Sequence, residues 1–214
     1  MTSSQGANQA PLARVAFALL GAVAFFAYGK SVAHSPPGGI DDAARSLAGH
    51  AVPLALFFTG AGRFPAFAAL CTLLLIFGIA RRRYLAFVAV PVVALILAWK
   101  TSDFFKDFFA RPRPAYWIAI HEPSFSYPSG HAVLSLTFYG LLAYALWRIR
   151  PPSPQRTVLL ALAAFWIVAT GWSRLALGAH YLSDVLGGYL LGSIFFVLGA
   201  VVIDRLAARA EVST

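Results

Sequence analysis

A histidine and an aspartate, His180 and Asp184, stand four residues apart beside a long apolar stretch, and Arg174 comes six residues before the histidine. Side chains four residues apart share a face of a helix, so Asp184 is expected to hold one ring nitrogen of His180. The other nitrogen is then left to attack an electrophile or to exchange a proton. Arg174 is close enough in sequence to reach an anion held at the imidazole. The alternative interpretation is an interfacial histidine followed by a helix-capping aspartate.

A second cluster, Tyr127-Pro128-Ser129-Gly130-His131, directly precedes another apolar stretch. Ser129 is a good residue to begin a helix, and the unpaired N–H groups of a helix N-terminus bind anions. Gly130 lets an anion approach the backbone closely. His131 falls in the first turn, where it could give a proton to that anion or take one from it. The alternative is an ordinary turn, in which Pro-Ser-Gly is common.

A third cluster runs from Lys106 to Pro114 and contains Arg111 and Arg113. Lys106 and Arg113 are seven residues apart, about two helical turns, so both would point the same way if the helix persisted that far. Arg113-Pro114 should end the helix, because the residue before proline is pushed away from helical angles. Anchoring at the membrane interface explains one such cation, whereas several at one junction are better explained by an anionic ligand.

Together the three clusters supply fixed cations, oriented N–H donors, two histidines and one carboxylate. Their Asp, Glu and His residues lack the spacing of a divalent-metal cage, so we expect no metal and no cofactor, with the cations neutralising charge. This combination suits phosphoryl transfer, in which catalysis consists mostly of positioning and of electrostatic stabilisation of the phosphoryl oxygens.

The composition shows which elements must position these residues. Of the 214 residues, 59% are hydrophobic and 12% charged, and the mean hydropathy is +0.72, whereas about a quarter of the residues of a soluble domain are charged. Apolar runs, most of them near the length of a bilayer-spanning helix, occupy Leu12–Tyr28, Phe64–Ala80, Tyr84–Phe105, Ala132–Trp147, Val158–Trp172 and Val185–Ile203. Val158–Trp172 is short by itself and is expected to borrow flanking residues. The sequence therefore predicts an all-α polytopic membrane protein with six transmembrane helices in a single domain, 1–214.

The segments outside the spans are short. Residues 1–11 are predicted to form a flexible tail, and the first apolar run a retained helix rather than a cleaved signal peptide. Asp41–Gly62 is interpreted as short amphipathic helices on the membrane surface in the first outer loop. Simple surface packing is expected for His34, Asp41, Asp42 and His50. Cys71, the only cysteine, lies in an apolar run, which excludes a disulfide framework.

The distribution of basic residues indicates the orientation. Six spans with the N-terminus inside place nine of the 17 Lys and Arg residues in the cytoplasm, namely Arg14, Arg81, Arg82, Arg83, Arg148, Arg150, Arg156, Arg205 and Arg209. Setting aside the four at the predicted anion site, Lys106, Arg111, Arg113 and Arg174, four remain outside. This bias favours two cytoplasmic termini. The net charge of +9 is attributed to loop anchoring and an anionic ligand, and no nucleic-acid partner is expected.

Lys106-x6-Arg113-Pro114, Pro128-Ser129-Gly130-His131 and Ser173-Arg174-x5-His180-x3-Asp184 resemble the three signature motifs of the type 2 phosphatidic acid phosphatases, in order and at the family's spacing. The resemblance, to the bacterial membrane-embedded branch, implies that His180 is a nucleophile forming a phosphohistidine and that Asp184 orients it. His131 would be the general acid and then the base. The same resemblance assigns phosphate binding to a set of five residues: Lys106, Arg113, Ser129, Gly130 and Arg174. It implies no metal.

What the resemblance implies for activity is a lipid phosphate phosphatase of the bacterial cytoplasmic membrane, with its site facing the outside. Undecaprenyl diphosphate, phosphatidylglycerol phosphate and phosphatidate are the candidate substrates. A lipid phosphotransferase or lipid A phosphatase using the same site, and a non-catalytic lipid-binding module, remain alternatives. Soluble vanadate-dependent haloperoxidases share the site pattern, but six spans argue against them. Tyr116, Trp117 and Tyr127 could flank a lipid entrance, although interfacial anchoring also explains them. The oligomeric state is not indicated.

Overall fold

The computed structural model describes residues 3–116 and 122–212, and these are almost entirely helical. Eight α-helices follow one another, and a single 3₁₀ turn, Arg82–Tyr84, separates the fourth from the fifth. Their bounds are α1 Ser3–Ala33, α2 Ile40–Arg45, α3 Val52–Ala61, α4 Phe64–Ala80, α5 Leu85–Phe109, α6 Gly130–Ile149, α7 Pro154–Ala176 and α8 Leu182–Val212. The all-α prediction is confirmed.

Five helical segments are long and apolar enough to cross a membrane: Leu12–Ala33, Arg82–Phe109, Gly130–Ile149, Pro154–Ala176 and Leu182–Ala210. A sixth span is obtained when α3 and α4, which meet at a bend of 44°, are counted as one broken element. Apolar side chains on the outer surfaces of these helices, such as Leu73 and Val168, are about two-thirds exposed. Such faces suit contact with lipid, so the predicted polytopic membrane fold is confirmed.

Some helix ends differ from the expectation. α1 already begins at Ser3, so residues 3–11, which were expected to belong to a flexible tail, are helical. α7 borrows residues on both sides of Val158–Trp172, as that short run required. α5 stops at Phe109, and Ala110 closes it in the left-handed conformation with φ of 47°. Arg113 therefore lies in extended chain rather than on a helix shared with Lys106.

α6 and α8 form the centre of the bundle and pack along their lengths. Their backbones approach closely at Gly188, where an added Cβ would lie 2.6 Å from the carbonyl oxygen of Ser129. A side chain there would push the beginning of α6 away from α8. Because α5 and α7 end at the same side of the bundle at which α6 and α8 begin, the three predicted clusters come together there.

Candidate active site

His180 lies in the short connection before α8, not on the helix itself. Asp184 occupies the first turn of α8 and accepts a hydrogen bond at 2.8 Å from the backbone N–H of Tyr181, as the third helical residue does in a capping box. Its carboxylate Oδ2 lies 3.6 Å from Nδ1 of His180. The two side chains do meet, but through a reverse turn instead of the predicted shared helical face.

Ser126 connects this pair. Its hydroxyl donates to Asp184 Oδ2 at 2.5 Å and lies 3.4 Å from Nδ1 of His180. All three side chains are almost completely buried. The carboxylate therefore orients the imidazole through Ser126, a residue that the sequence analysis did not single out.

The other ring nitrogen faces a cation. Nη1 of Arg113 lies 3.0 Å from Nε2 of His180 and 2.9 Å from the carbonyl oxygen of Ala179. A guanidinium only donates, so Nε2 is the acceptor and Nδ1 carries the hydrogen in the neutral ring. Burial, together with Arg113 and Arg174, lowers the pKa of His180 well below its usual value. The imidazole is consequently neutral at neutral pH, with the Nε2 lone pair directed at Arg113.

One serine and one glutamate connect the three predicted phosphate-binding cations. Ser124 Oγ accepts hydrogen bonds from Lys106 Nζ at 3.2 Å and Arg113 Nη2 at 3.0 Å. The carboxylate of Glu122 accepts 3.0 Å from Arg113 Nη2 and 2.7 Å from Arg174 Nη2. Arg174 is itself fixed by Thr59 of α3. Cations from α5, from the following loop and from α7 thus converge on one point beside His180.

Burial favours the neutral form of Glu122, but the positive charges of Arg174, Arg113 and Lys106 outweigh it and lower the pKa of this carboxyl to about 2. Glu122 is therefore an anion at every physiological pH. Sequence reasoning missed it because a single acidic residue in a loop carries no signal of its own.

The beginning of α6 supplies polar atoms that have no partner among the described residues. Ser129 precedes the helix, and neither its hydroxyl nor Nε2 of His131 makes a hydrogen bond there, although both are buried. The backbone N–H of Ser129 donates to the carbonyl of Asp184 at 3.0 Å, which fixes α6 against α8. Gly62, at the α3–α4 bend, lets the chain pack on the ring of His131, since a Cβ would lie 2.5 Å from its Cδ2.

Asp184 is also held by a buried network that reaches the first outer loop. Arg111 donates to Asp184 Oδ1 at 2.6 Å and to Asp41 Oδ2 at 2.9 Å. Asp41, on α2, also accepts from the backbone and hydroxyl of Ser183 at 2.8 and 2.7 Å. The expectation of simple surface packing for Asp41 is therefore wrong, because its charge is only 5% exposed and neutralises Arg111.

Tyr127 and Tyr116, two of the aromatic residues that could flank a lipid entrance, lie in different surroundings. Tyr127 is fully buried and donates to the carbonyl of Phe25 at 3.2 Å, so it fixes α1 to the site and cannot flank an entrance. The ring of Tyr116 lies 5.0 Å from the guanidinium of Arg45. Trp117 lies outside the described residues.

An apolar cavity of about 380 Å³ opens beside the polar cluster. Its polar end contains Lys106, Glu122 and His131, and its walls belong to α4, α5 and α6, with Phe67, Cys71, Val92, Leu95, Ile96 and Leu134 among the lining residues. Most of the cavity is hydrocarbon, so it fits an apolar chain attached to an anionic group. Within residues 3–116 and 122–212, no three His, Cys, Asp or Glu side chains are grouped to hold a metal ion.

Comparison with known proteins agrees with this geometry. Over 94 residues the chain is 38% identical to phosphatidylglycerophosphatase B of Bacillus subtilis, which is 44% of this chain and 46% of that protein. It is 34% identical over 85 residues to the lipid A 1-phosphatase of Rhizobium johnstonii, 40% of this chain and 31% of that one. The matched segments thus span less than half the length of these curated relatives.

The fold has a solved counterpart. The crystal structure of a transmembrane PAP2 type phosphatidylglycerolphosphate phosphatase from Bacillus subtilis superposes with a TM-score of 0.69, covering 88% of this chain and 93% of that one at 24% identity. The sequence profile of the PAP2 superfamily matches residues 84–207, which include all three motifs. The chain therefore belongs to the PAP2 superfamily.

Proposed function

We propose that the protein is a membrane-embedded phosphatase that hydrolyses a phosphate monoester or diphosphate of a lipid through a phosphohistidine. One observation carries the proposal. The Nε2 lone pair of His180 faces Arg113, which Ser124 and Glu122 connect to Lys106 and Arg174. Lys106 and Glu122 of this same cluster line the polar end of an apolar cavity. Placing phosphorus beside Nε2 brings its oxygens to the cations and its lipid chain to the hydrocarbon walls.

The first half-reaction transfers the phosphoryl group to the protein. Nε2 of His180 attacks phosphorus as the bond to the lipid oxygen breaks, and protonated His131 donates its proton to that oxygen. Lys106, Arg113 and Arg174 stabilise the equatorial oxygens. The unpaired hydroxyl of Ser129 and the N–H of Gly130 add donors at the α6 N-terminus.

The second half-reaction releases inorganic phosphate. His131, now neutral, takes a proton from water as the water oxygen attacks phosphorus and the bond to Nε2 breaks. The carboxylate of Asp184 stabilises the positive charge that the imidazole carries in the intermediate. The cations supply the charge neutralisation, so the reaction is proposed to need no metal ion.

The relatives narrow the substrate class. Phosphatidylglycerophosphatase B and lipid A 1-phosphatase are both named for phosphate groups on membrane lipids. Phosphatidylglycerol phosphate is therefore the first candidate for this chain, followed by undecaprenyl diphosphate, phosphatidate and a lipid A phosphate. The proposed location is the bacterial cytoplasmic membrane, with the site on the outer side.

The test is phosphate release by purified protein in detergent from these four lipids. At least one should be hydrolysed without an acceptor lipid and in the presence of chelator, and His180→Ala should reduce release at least a thousandfold. Phosphate transfer only when a second lipid is supplied would instead indicate a phosphotransferase. Lipid binding without turnover would indicate a non-catalytic module. Loss of phosphatase activity in the presence of chelator, restored by one specific divalent ion, would contradict metal independence.

A further inference from the structure

Glu122 occupies the place where a phosphate oxygen is expected. Its two carboxylate oxygens bind different arginines, at 3.0 Å from Arg113 Nη2 and 2.7 Å from Arg174 Nη2. The arginine side chains are 7% and 2% exposed, whereas that of Glu122 is 25% exposed. The cations are thus fixed in the protein interior, and the anion that bridges them is the most accessible member of the group.

The same contacts also occupy the Nε2 lone pair of His180, the proposed nucleophile. Nη1 of Arg113 points at the Nε2 lone pair of His180 from 3.0 Å, while its Nη2 is held by Glu122. A phosphate group that receives the attack must take Arg113 as a ligand of its own oxygens, which removes that guanidinium from both acceptors. Binding of substrate is therefore an exchange of one anion for another.

We propose that Glu122 is a specificity-determining residue: a built-in carboxylate that doubly charged phosphate monoesters displace from Arg113 and Arg174 and that singly charged phosphodiesters do not. The proposal rests on the proposed function, because it concerns the same phosphate site. The physical basis is charge. An incoming anion is attracted to the three cations more strongly than the Glu122 carboxylate only if it carries more negative charge than that carboxylate.

The comparison can be followed for each kind of lipid. A phosphate monoester is mostly a dianion above pH 6, so replacing Glu122 gives Lys106, Arg113 and Arg174 two negative charges in place of one. A phosphodiester exchanges one charge for one, so it gains no additional attraction to the cations that could offset its removal from water. Phosphodiesters are the headgroups of the bulk phospholipids that surround the protein, so this exchange would keep them out of the site.

The experiment measures binding of two small anions without turnover. Inorganic phosphate and diethyl phosphate are titrated calorimetrically at pH 8 into the purified full-length protein in detergent. Wild type should bind phosphate and show little affinity for diethyl phosphate. Glu122→Gln removes the competing charge and should tighten diethyl phosphate binding at least tenfold, so that the ratio of the two dissociation constants falls by a similar factor.

Asp107→Asn is the matched control, because Asp107 is exposed near the end of α5 and its replacement removes one negative charge without touching the arginines. That variant should leave the ratio unchanged. If Glu122→Gln fails to fold, Glu122→Asp, whose shorter side chain cannot bridge both arginines equally well, should give a smaller change of the same sign. Weaker binding of both anions by the variant would overturn the proposal, since Glu122 would then position the arginines.

The result separates this inference from the proposed function. Unchanged anion selectivity in a protein that still hydrolyses lipid phosphates would reject only the role of Glu122. A selectivity change without hydrolysis of any lipid phosphate would reject the enzyme and leave the role of Glu122 in anion binding.

Discussion

At the scale of single residues, the orientation of His180 depends on a hydroxyl. Asp184 Oδ2 is 3.6 Å from the imidazole, too long for a hydrogen bond, and Ser126 lies within hydrogen-bonding distance of both groups. Asp184 also accepts from Arg111 and from a backbone N–H. The carboxylate is thus fixed by several donors, and the imidazole is fixed to that assembly.

Ser126→Ala should therefore lower kcat while changing KM little. A hydrogen bond to a charged group contributes about 1.5–3 kcal/mol, which corresponds to roughly a ten- to hundredfold slower reaction. Steady-state kinetics on the preferred lipid phosphate measures the change. Ser135→Ala is the control, because Ser135 is equally buried but bonds only to a backbone carbonyl of α6. Equal rates for Ser126→Ala and wild type would exclude this orienting role.

The pH dependence also belongs to this scale. Because the pKa of His180 lies well below 6.5, the nucleophile stays neutral down to mildly acidic pH, and kcat/KM should lose this group's contribution only below pH 6.5. The substrate phosphate also ionises near pH 6, so its effect on the pH profile must be distinguished from that of His180. An analogue with an electron-withdrawing group beside the phosphate lowers the pKa of the substrate and leaves that of His180 unchanged. A loss of kcat/KM on acidification whose midpoint lies at or above pH 6.5 and does not move with the substrate would contradict the neutral resting imidazole.

Sequence reasoning grouped these residues in one site, but some of the contacts that hold them differ from those it predicted. The spacing of Lys106, Arg113, His131 and His180 predicted convergence at one side of the bundle, which the fold shows. It could not identify Glu122, Ser126 or Asp41, because their contacts with Arg174, Asp184 and Arg111 join residues that are distant in sequence. It also placed His180 and Asp184 on one helical face, whereas the helix begins only at Leu182.

At the scale of elements, α2 is connected to the carboxylate of Asp184 through Arg111. This helix has only six residues, too few to be stable by itself, and Asp41 attaches it to Arg111 and Ser183 of the site. The arrangement makes the first outer loop part of the structure that orients His180. The apolar runs predicted the membrane helices well, because helices in contact with lipid require continuous hydrophobic faces. α2 has no such requirement, so no apolar run marks it in the sequence.

Asp41→Ala should therefore destabilise the protein as well as slow it. Removing one partner of a buried ion pair leaves an uncompensated charge and costs about 3–5 kcal/mol, so the thermal unfolding midpoint in detergent should fall together with kcat. Asp42→Ala is the matched control, because Asp42 is the next residue of α2 and is exposed. Unfolding midpoints that agree for the two variants would show that the buried network does not stabilise the fold.

At the scale of the whole molecule, the basic residues favour two cytoplasmic termini and an outward-facing site. The chain offers a direct test, since Cys71 is its only cysteine. In a Cys71→Ser background, Asp107→Cys should react with a membrane-impermeant maleimide on intact cells, and Gln155→Cys, in the first turn of α7, only after permeabilisation. The reverse labelling pattern would place the site in the cytoplasm.

The proposed mechanism depends on a covalent bond between phosphorus and His180, and trapping that phosphohistidine tests it most directly. Protein mixed with a lipid carrying radiolabelled phosphate is quenched during turnover at alkaline pH, where phosphohistidine survives, and digested for mass spectrometry. Nε2-phosphorylated His180 is the predicted product, absent from His180→Ala and undiminished in Asp107→Asn. Label on another residue, or rapid hydrolysis with no phosphorylated peptide at any quench time, would contradict the proposed mechanism.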